Sequence, residues 1–569
     1  MTMKSCLLTR FAALSAILAA CSPLALHAQE LPYDDVAGEG DSGDVSDSTG
    51  VGRGPRVTVS PYIEASQVLL AELSPGSETL TYSSLAAGID ASFAGRNNQG
   101  SVSVRYERRF GWGKKAADSD TLSGIARFQT AVVPRTLNFE VGALAARSSI
   151  ENNGSTVSGL EFGDSATQVY SAYAGPSLAT RMGDVAVNGH YYFGYTRIDS
   201  PNAIAVVPGQ NPVDVLDDAT RHNAELHFGT KAGEPLPVGI GAGVGWNRED
   251  ISNLDQRIND FHARGDVAVP LTSDLQLVAG VGWEKVEVSS RDALRDTVTG
   301  LPVLDSNGRY VTDSSAPRQI AFESEGLIWD AGVMWRPSKR TALEAHVARR
   351  YGYTNYYGSF AYAPSARTSI NISAYDSLTS FGGMLNKALA NLPTDFEAVR
   401  NPLNGDLGGC VAARGSVASG QSGCLIGVLG SVRSAVFRGR GVMASVGYTG
   451  SRFGYGVGAG YDRRRFIAVP GTVLGVTNLT IDENIWLAAY LNGKLDANSS
   501  IGLGAWANWY QSGDALAGNS NAVGATASYN RSITSRLSAT AALGITGVNR
   551  EALADIWTAQ ALAGVRYSF

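Results

Sequence analysis

His346 stands two residues after Glu344, and in an extended chain that spacing puts an imidazole and a carboxylate on the same side. Such a pair could pass a proton as acid and base, although a satisfied hydrogen bond is its commoner fate. Hydrolysis at a strand rim needs a histidine beside an aspartate, or beside a serine and an asparagine. The body of the chain offers only His190, His222, His227, His262 and His346 without such a constellation, so an enzyme is not expected. Arg105, Glu107 and Arg109 fall on one face by the same two-residue period, and Arg463, Arg464 and Arg465 run consecutively. Basic rows of this kind either select anionic solutes or close into salt-bridge ladders, the second being the commoner. The same phase groups Trp486 with Tyr490, and Trp506 with Asn508 and Tyr510. Cys410 and Cys424 are too few for a structural zinc site, and no cofactor or metal is expected. A disulfide between them would close a short loop and constrain its unfolded chain by about 3 kcal/mol.

The elements that must hold these groups are strands. In the last thirteen residues Trp557, Ala559, Ala561, Ala563, Val565, Tyr567 and Phe569 alternate with mostly polar neighbours, which suits lipid on one side and a wet interior on the other. Val238, Ile240, Ala242, Val244 and Trp246 alternate with Gly239, Gly241, Gly243 and Gly245; Leu275 to Trp283 and Leu327 to Trp335 repeat the scheme. Aromatic residues at the strand ends match interfacial girdles. Short links at Pro134 to Thr136, Arg181 to Asp184, Gly233 to Pro237, Leu271 to Asp274, Pro337 to Arg340, Ala497 to Ser499 and Thr534 to Arg536 read as periplasmic turns. Long links at Asn152 to Ala166, Ser200 to Thr220, Arg291 to Pro317 and Ser377 to Arg433 read as extracellular. The sum is an all-β protein: a transmembrane antiparallel β-barrel of about 22 strands, between about 20 and about 24, over residues 56–569, with both termini periplasmic.

Within 377–433, Phe381, Met384, Leu385, Ala388, Leu389 and Leu392 recur at helical spacing before Pro393. A short helix capped by Ser377 or Ser380 is expected there, in a long loop stapled by Cys410 and Cys424. It could fold inward as a constriction or lie outside as a cap. At the N-terminus, Lys4 and Arg10 precede the apolar stretch Phe11 to Ala20, a secretory signal. Cleavage after Ala28 makes 1–28 the signal peptide, while Leu18 to Cys21 resembles a lipobox with Cys21 as the acylated residue. Residues 29–55, with Asp34, Asp35, Glu39, Asp41, Asp44 and Asp47 among Gly and Ser, read as a disordered acidic leader. They lack calcium-loop spacing, and their length disfavours a separate plug domain of the kind siderophore-type transporters carry.

Composition sets further bounds. No apolar run beyond the N-terminus is long enough for a spanning helix. The formal net charge of −6 leaves no basic excess for nucleic acid. The partners expected are outer-membrane lipid and the barrel-assembly machinery. For the latter, Gly564, Tyr567 and Phe569 resemble the terminal signal of bacterial outer-membrane barrels. Trp335, Pro337, Ser338, Arg340, Thr341 and Leu343, then Arg350, Tyr351, Gly352, then Ser365, Arg367 and Thr368 form a second signature. It resembles the outer-membrane barrels of exopolysaccharide loci and PEP-CTERM systems, the EpsL-type proteins. That resemblance implies a conduit or accessory for exopolysaccharide export, with polysaccharide and export-machinery proteins as partners. The lumen would then be aromatic and polar, lined by Arg105, Glu107, Arg109, Glu344, His346, Trp486, Tyr490, Trp506, Asn508 and Tyr510. A general diffusion porin and a structural or adhesion barrel are the other two expectations.

Overall fold

A computed structural model describes residues 56–569 apart from 114–115, 117, 151–154, 158–165, 201–212, 217, 234, 366, 414–424, 515–517 and 552. The signal segment and acidic leader lie outside the described residues, as does Cys424 and therefore the expected disulfide with Cys410.

Alternation decides which residues face lipid. On the strand Gly239–Ile251, Ile240 and Val244 are exposed on the outer face, and so are Leu277, Val281 and Trp283 on Leu275–Ser290 and Leu327, Trp329 and Trp335 on Gln319–Ser338. Their partners one residue along point inward. Because a strand with two such faces cannot end in an open edge within a bilayer, the sheet must close. It does: 22 strands form one antiparallel ring in chain order. The first strand, Arg56–Ser74, pairs with the last, Ile556–Ser568, from Tyr62 opposite Ser568 to Ser74 opposite Trp557.

The expected short links all turn at one rim. Arg56 lies opposite Ala94 beside the turn after that strand, so this rim also carries both ends of the ring. The strands joined by the four long links meet those links at the other rim. In the last strand Thr558 and Gln560 are buried inward, as the terminal alternation requires, and the backbone NH of Phe569 donates to the Pro61 carbonyl at 3.1 Å. The space above inward glycines is taken by side chains reaching across from neighbouring strands. A Cβ at Gly332 would meet the His346 ring at 2.4 Å, and one at Gly460 would meet the Trp486 indole at 2.5 Å.

Between the strands Thr368–Ser380 and Val436–Thr449 the chain leaves the ring and folds into its interior. This segment holds helix α1 (Phe381–Ala390), a two-stranded pair, Phe396–Arg400 with Leu407–Ala413, and the short helix α2 (Ile426–Leu429). The Ser380 hydroxyl accepts from the Gly383 amide at 3.1 Å, so Ser380 is the N-cap. Phe381, Met384, Leu385 and Leu389, the helical stripe read from the sequence, are all buried.

Candidate functional site

What the segment buries its stripe against is the inner wall of the barrel. Phe381, Leu385, Leu389, Leu392 and Phe396 share one apolar core with wall residues Ile125, Leu144, Val169, Tyr173, Phe437 and Phe466. Leu385, Leu389 and Leu392 are fully shielded from water, and burial of each contributes about 1.5–3 kcal/mol. The described residues within 381–432 therefore form a plug whose core is shared with the wall, so this part of the segment folds inward. These wall positions are inward-facing yet apolar, because their neighbour is the plug and not water.

Around this core runs a collar of polar contacts. Glu249, fully buried on Gly239–Ile251, accepts from the Ser380 amide at 2.7 Å and the Thr379 hydroxyl at 2.9 Å. It thereby places a negative charge at the N-terminus of α1, where the helix dipole favours it. The Asn386 amide donates to the Thr196 hydroxyl at 2.8 Å. On the facing wall the Phe396 amide donates to Ser101 Oγ at 3.0 Å, three residues from the start of the strand Asn98–Trp112. The plug thus reaches deep toward the short-turn rim on that side. Arg400 donates to Ser123 Oγ at 2.7 Å, the Gly405 carbonyl at 2.8 Å and Ser103 Oγ at 3.0 Å. Burial pushes its guanidinium below the ordinary arginine value. Asp406 pairs with Arg147 at 3.2 Å, both nearly inaccessible. Arg464 donates to the Ser431 carbonyl at 2.6 Å and Arg433 pairs with Asp482 at 3.2 Å, anchoring the return to the ring.

The expected lumen residues divide accordingly. Arg105, Glu107 and Arg109 are buried and mutually paired. Arg105 also binds Glu64 at 3.0 Å and the plug carbonyl of Asn404 at 3.3 Å. The row is a salt-bridge ladder against the plug and not a lining open to solute. Trp486, Asn508 and Tyr510 are likewise buried, Asn508 beside the Gly430 carbonyl at 3.5 Å and Tyr510 bonded to Asp482, while Tyr490 and Trp506 are half-buried. His346 does contact Glu344, at 3.1 Å, and also lies 3.5 Å from Asp330, which no local spacing signalled. Its ring stacks on Tyr357 at 4.8 Å, fixing it as a wall group. Arg264 joins Asp330 at 3.3 Å and His227 joins Asp266 at 2.9 Å. A polar belt so crosses the wall from Ala219–Thr230 to Tyr353–Ser365. Lys387 of α1 is accessible inside the ring but enclosed by protein on all sides, within electrostatic reach of Arg221, Glu225, Arg350 and Glu249; that enclosure pushes its ammonium below the usual lysine value.

A closed 22-stranded antiparallel ring with an apolar outer band and no helix able to span a bilayer among the described residues leaves one setting. The protein is an outer-membrane β-barrel. No family model matches the chain, and no curated protein does. Solved structures do resemble it. The FrpB iron transporter from Neisseria meningitidis (F5-1 variant) is 11% identical over 90% of this chain and 82% of its own, with a TM-score of 0.44. The ferric-catecholate import receptor Fiu from E. coli K12, in its closed form, is 10% identical over 89% and 81%, with a TM-score of 0.44. The copper transporter OprC is 10% identical over 91% and 81%, with a TM-score of 0.36. Likeness at this level is one of barrel architecture.

The expected membership in the EpsL-type exopolysaccharide barrels is corrected here: no family model supports it. The signature that suggested it has a local physical cause. In Ser338 to Thr341 the serine hydroxyl accepts from the Arg340 amide at 3.2 Å and meets the Thr341 hydroxyl at 3.2 Å; Ser365 does the same with Arg367 at 3.2 Å and Thr368 at 3.0 Å. Any tight turn between two membrane strands can use this pattern, so it carries no kinship.

Proposed function

We propose that the protein is a gated conduit across the outer membrane, held shut by its own 377–433 segment, with the long-loop rim outward and both chain ends toward the periplasm. The observation that carries this reading is the apolar core formed between α1 and the inner wall. A barrel of this strand number is too wide for wall side chains alone to fill, and outer-membrane transporters of this size keep a plugged lumen. Here the plug is an insertion in the chain, attached at both ends to adjacent strands, so it can move without leaving the barrel. Its collar is made of discrete hydrogen bonds and ion pairs, which can exchange for water when it shifts. A permanently open diffusion pore is disfavoured by the segment packed on the inner wall. The polysaccharide cargo rested on the family resemblance and is set aside with it.

The test replaces 381–429 with a short Gly-Ser bridge and measures conductance in planar bilayers. The wild type is expected to show brief, small openings, and the shortened protein a stable large conductance. A shortened barrel that is folded by heat modifiability but silent overturns the reading.

A further inference from the structure

The run Arg463, Arg464, Arg465 is divided by the strand that carries it. Arg464 faces the plug, whereas Arg463 and Arg465 lie on the outer, lipid-facing side of Phe453–Phe466. The outward residues of that strand read, from the short-turn rim upward, Tyr455, Val457, Ala459, Tyr461, Arg463, Arg465. On the neighbouring strand they read Tyr448, Val446, Ala444, Val442, Arg440, Arg438. Val457 and Val446 are 48% and 43% exposed on this face. Both columns therefore pass from an aromatic girdle through an apolar band and end on two arginines at its upper edge, the level of lipid headgroups.

Register makes the arrangement costly without a partner. Arg440 lies directly opposite Arg463, and Arg438 directly opposite Arg465. Like charges so placed repel. The nearby carboxylates are Asp376, paired with Arg438 at 2.8 Å and Arg440 at 2.9 Å, and Glu483, paired with Arg463 at 3.2 Å. Four guanidinium groups thus meet two carboxylates. Arg438 is buried, held also by the Thr354 carbonyl at 3.1 Å and stacked over Tyr353 at 4.5 Å. Arg440 and Arg463 keep about two-fifths of their side chains exposed, and the Arg465 side chain is exposed with no hydrogen bond or ion pair among the described residues. Arg108, by contrast, meets Asp118 at 3.4 Å and Asp120 at 2.9 Å, and Lys285 meets Glu325 at 3.1 Å.

We infer that Arg440, Arg463 and Arg465 form a binding site on the outer wall for the phosphate groups of a phosphorylated glycolipid of the outer leaflet, with its acyl chains along Val442, Val446 and Val457. Guanidinium groups bind phosphate through paired, charge-assisted hydrogen bonds, and basic clusters at a membrane boundary hold anionic headgroups. Two unbalanced positive charges match two phosphates. The inference rests on the outward orientation in the proposed function, and not on gating.

The test follows retention of bis-phosphorylated lipid A by purified barrel in detergent, read by native mass spectrometry, in wild type and in Arg463→Gln/Arg465→Gln. The wild type is expected to retain one lipid through dilution, the variant to lose at least about tenfold in affinity, and dephosphorylated lipid A to be released by both. Heat modifiability establishes that the variant barrel is folded, and Arg463→Lys/Arg465→Lys, if folded, is expected to restore part of the binding. Equal retention by wild type and variant, equal retention of the phosphate-free lipid, or equal competition by phosphatidylglycerol overturns the site. Protease cleavage of the 291–317 loop on intact cells separates the two readings. Cleavage only after permeabilisation sinks the orientation, whereas surface cleavage with unaltered lipid binding sinks the arginine site alone.

Discussion

Removing Leu385 and Leu389 together should open the barrel without unfolding it. Both side chains are fully buried on one face of α1, in the core shared with Ile125, Leu144, Val169 and Tyr173. A single buried Leu→Ala change costs about 2–5 kcal/mol, transfer and cavity terms together. Positions four apart on one helix couple, so the pair will not add in full. A combined loss of about 5 kcal/mol still corresponds to more than three powers of ten in the docked-to-undocked ratio, at about 1.4 kcal/mol per tenfold. The ring should be spared, because its stability lies in strand-to-strand hydrogen bonds and in apolar outer columns that neither leucine touches. Leu385→Ala/Leu389→Ala is therefore expected to keep its heat-modifiable gel shift while its open probability in planar bilayers rises steeply; Leu385→Ala alone should give an intermediate value. A folded double variant with wild-type conductance would refute the argument that this core keeps the barrel shut.

Three further outcomes follow from the same geometry. Glu249→Gln removes the charge beside the first turn of α1 and leaves Arg221, 3.6 Å away, without its carboxylate; a loss of about 1–3 kcal/mol in docking is expected, seen as longer openings in single-channel records. Lys387 has its ammonium form disfavoured in the docked plug, chiefly by desolvation within the enclosing ring and then by Arg221. Between its lowered pKa and the ordinary lysine value of about 10.4 the undocked state binds more protons. Docking should therefore strengthen as pH rises through that window and be weakest below it, while Glu225 and Glu249 oppose the effect. Open probability should fall on alkalinisation in the wild type and lose that dependence in Lys387→Met; a slope surviving the substitution assigns it elsewhere. Finally, deleting Phe569, whose amide bonds Pro61 and whose ring meets Tyr567 edge-on at 5.1 Å, should lower the heat-modifiable fraction recovered from outer membranes several-fold. Undiminished recovery would remove the assembly role expected for Gly564, Tyr567 and Phe569.

Much of this molecule is written in local order. A two-residue period specifies which side chains face lipid, so the strands and the closed all-β ring they build follow from the chain alone. The 3.6-residue stripe from Phe381 to Leu392 with Ser380 before it likewise specifies a capped helix. These are contacts between near neighbours, and their energies act within a few residues. Where α1 goes is another matter. Glu249 and Ser380 are 131 residues apart, and Asp406 and Arg147 are 259 apart. Such pairs exist only because ring closure brings distant strands around one interior. An inward residue met by water and one met by a plug have the same strand phase, so the sequence could mark Arg105 as inward but not as sealed. The same limit explains Arg463 to Arg465: consecutive cations say nothing of sides until closure makes one side lumen and the other lipid.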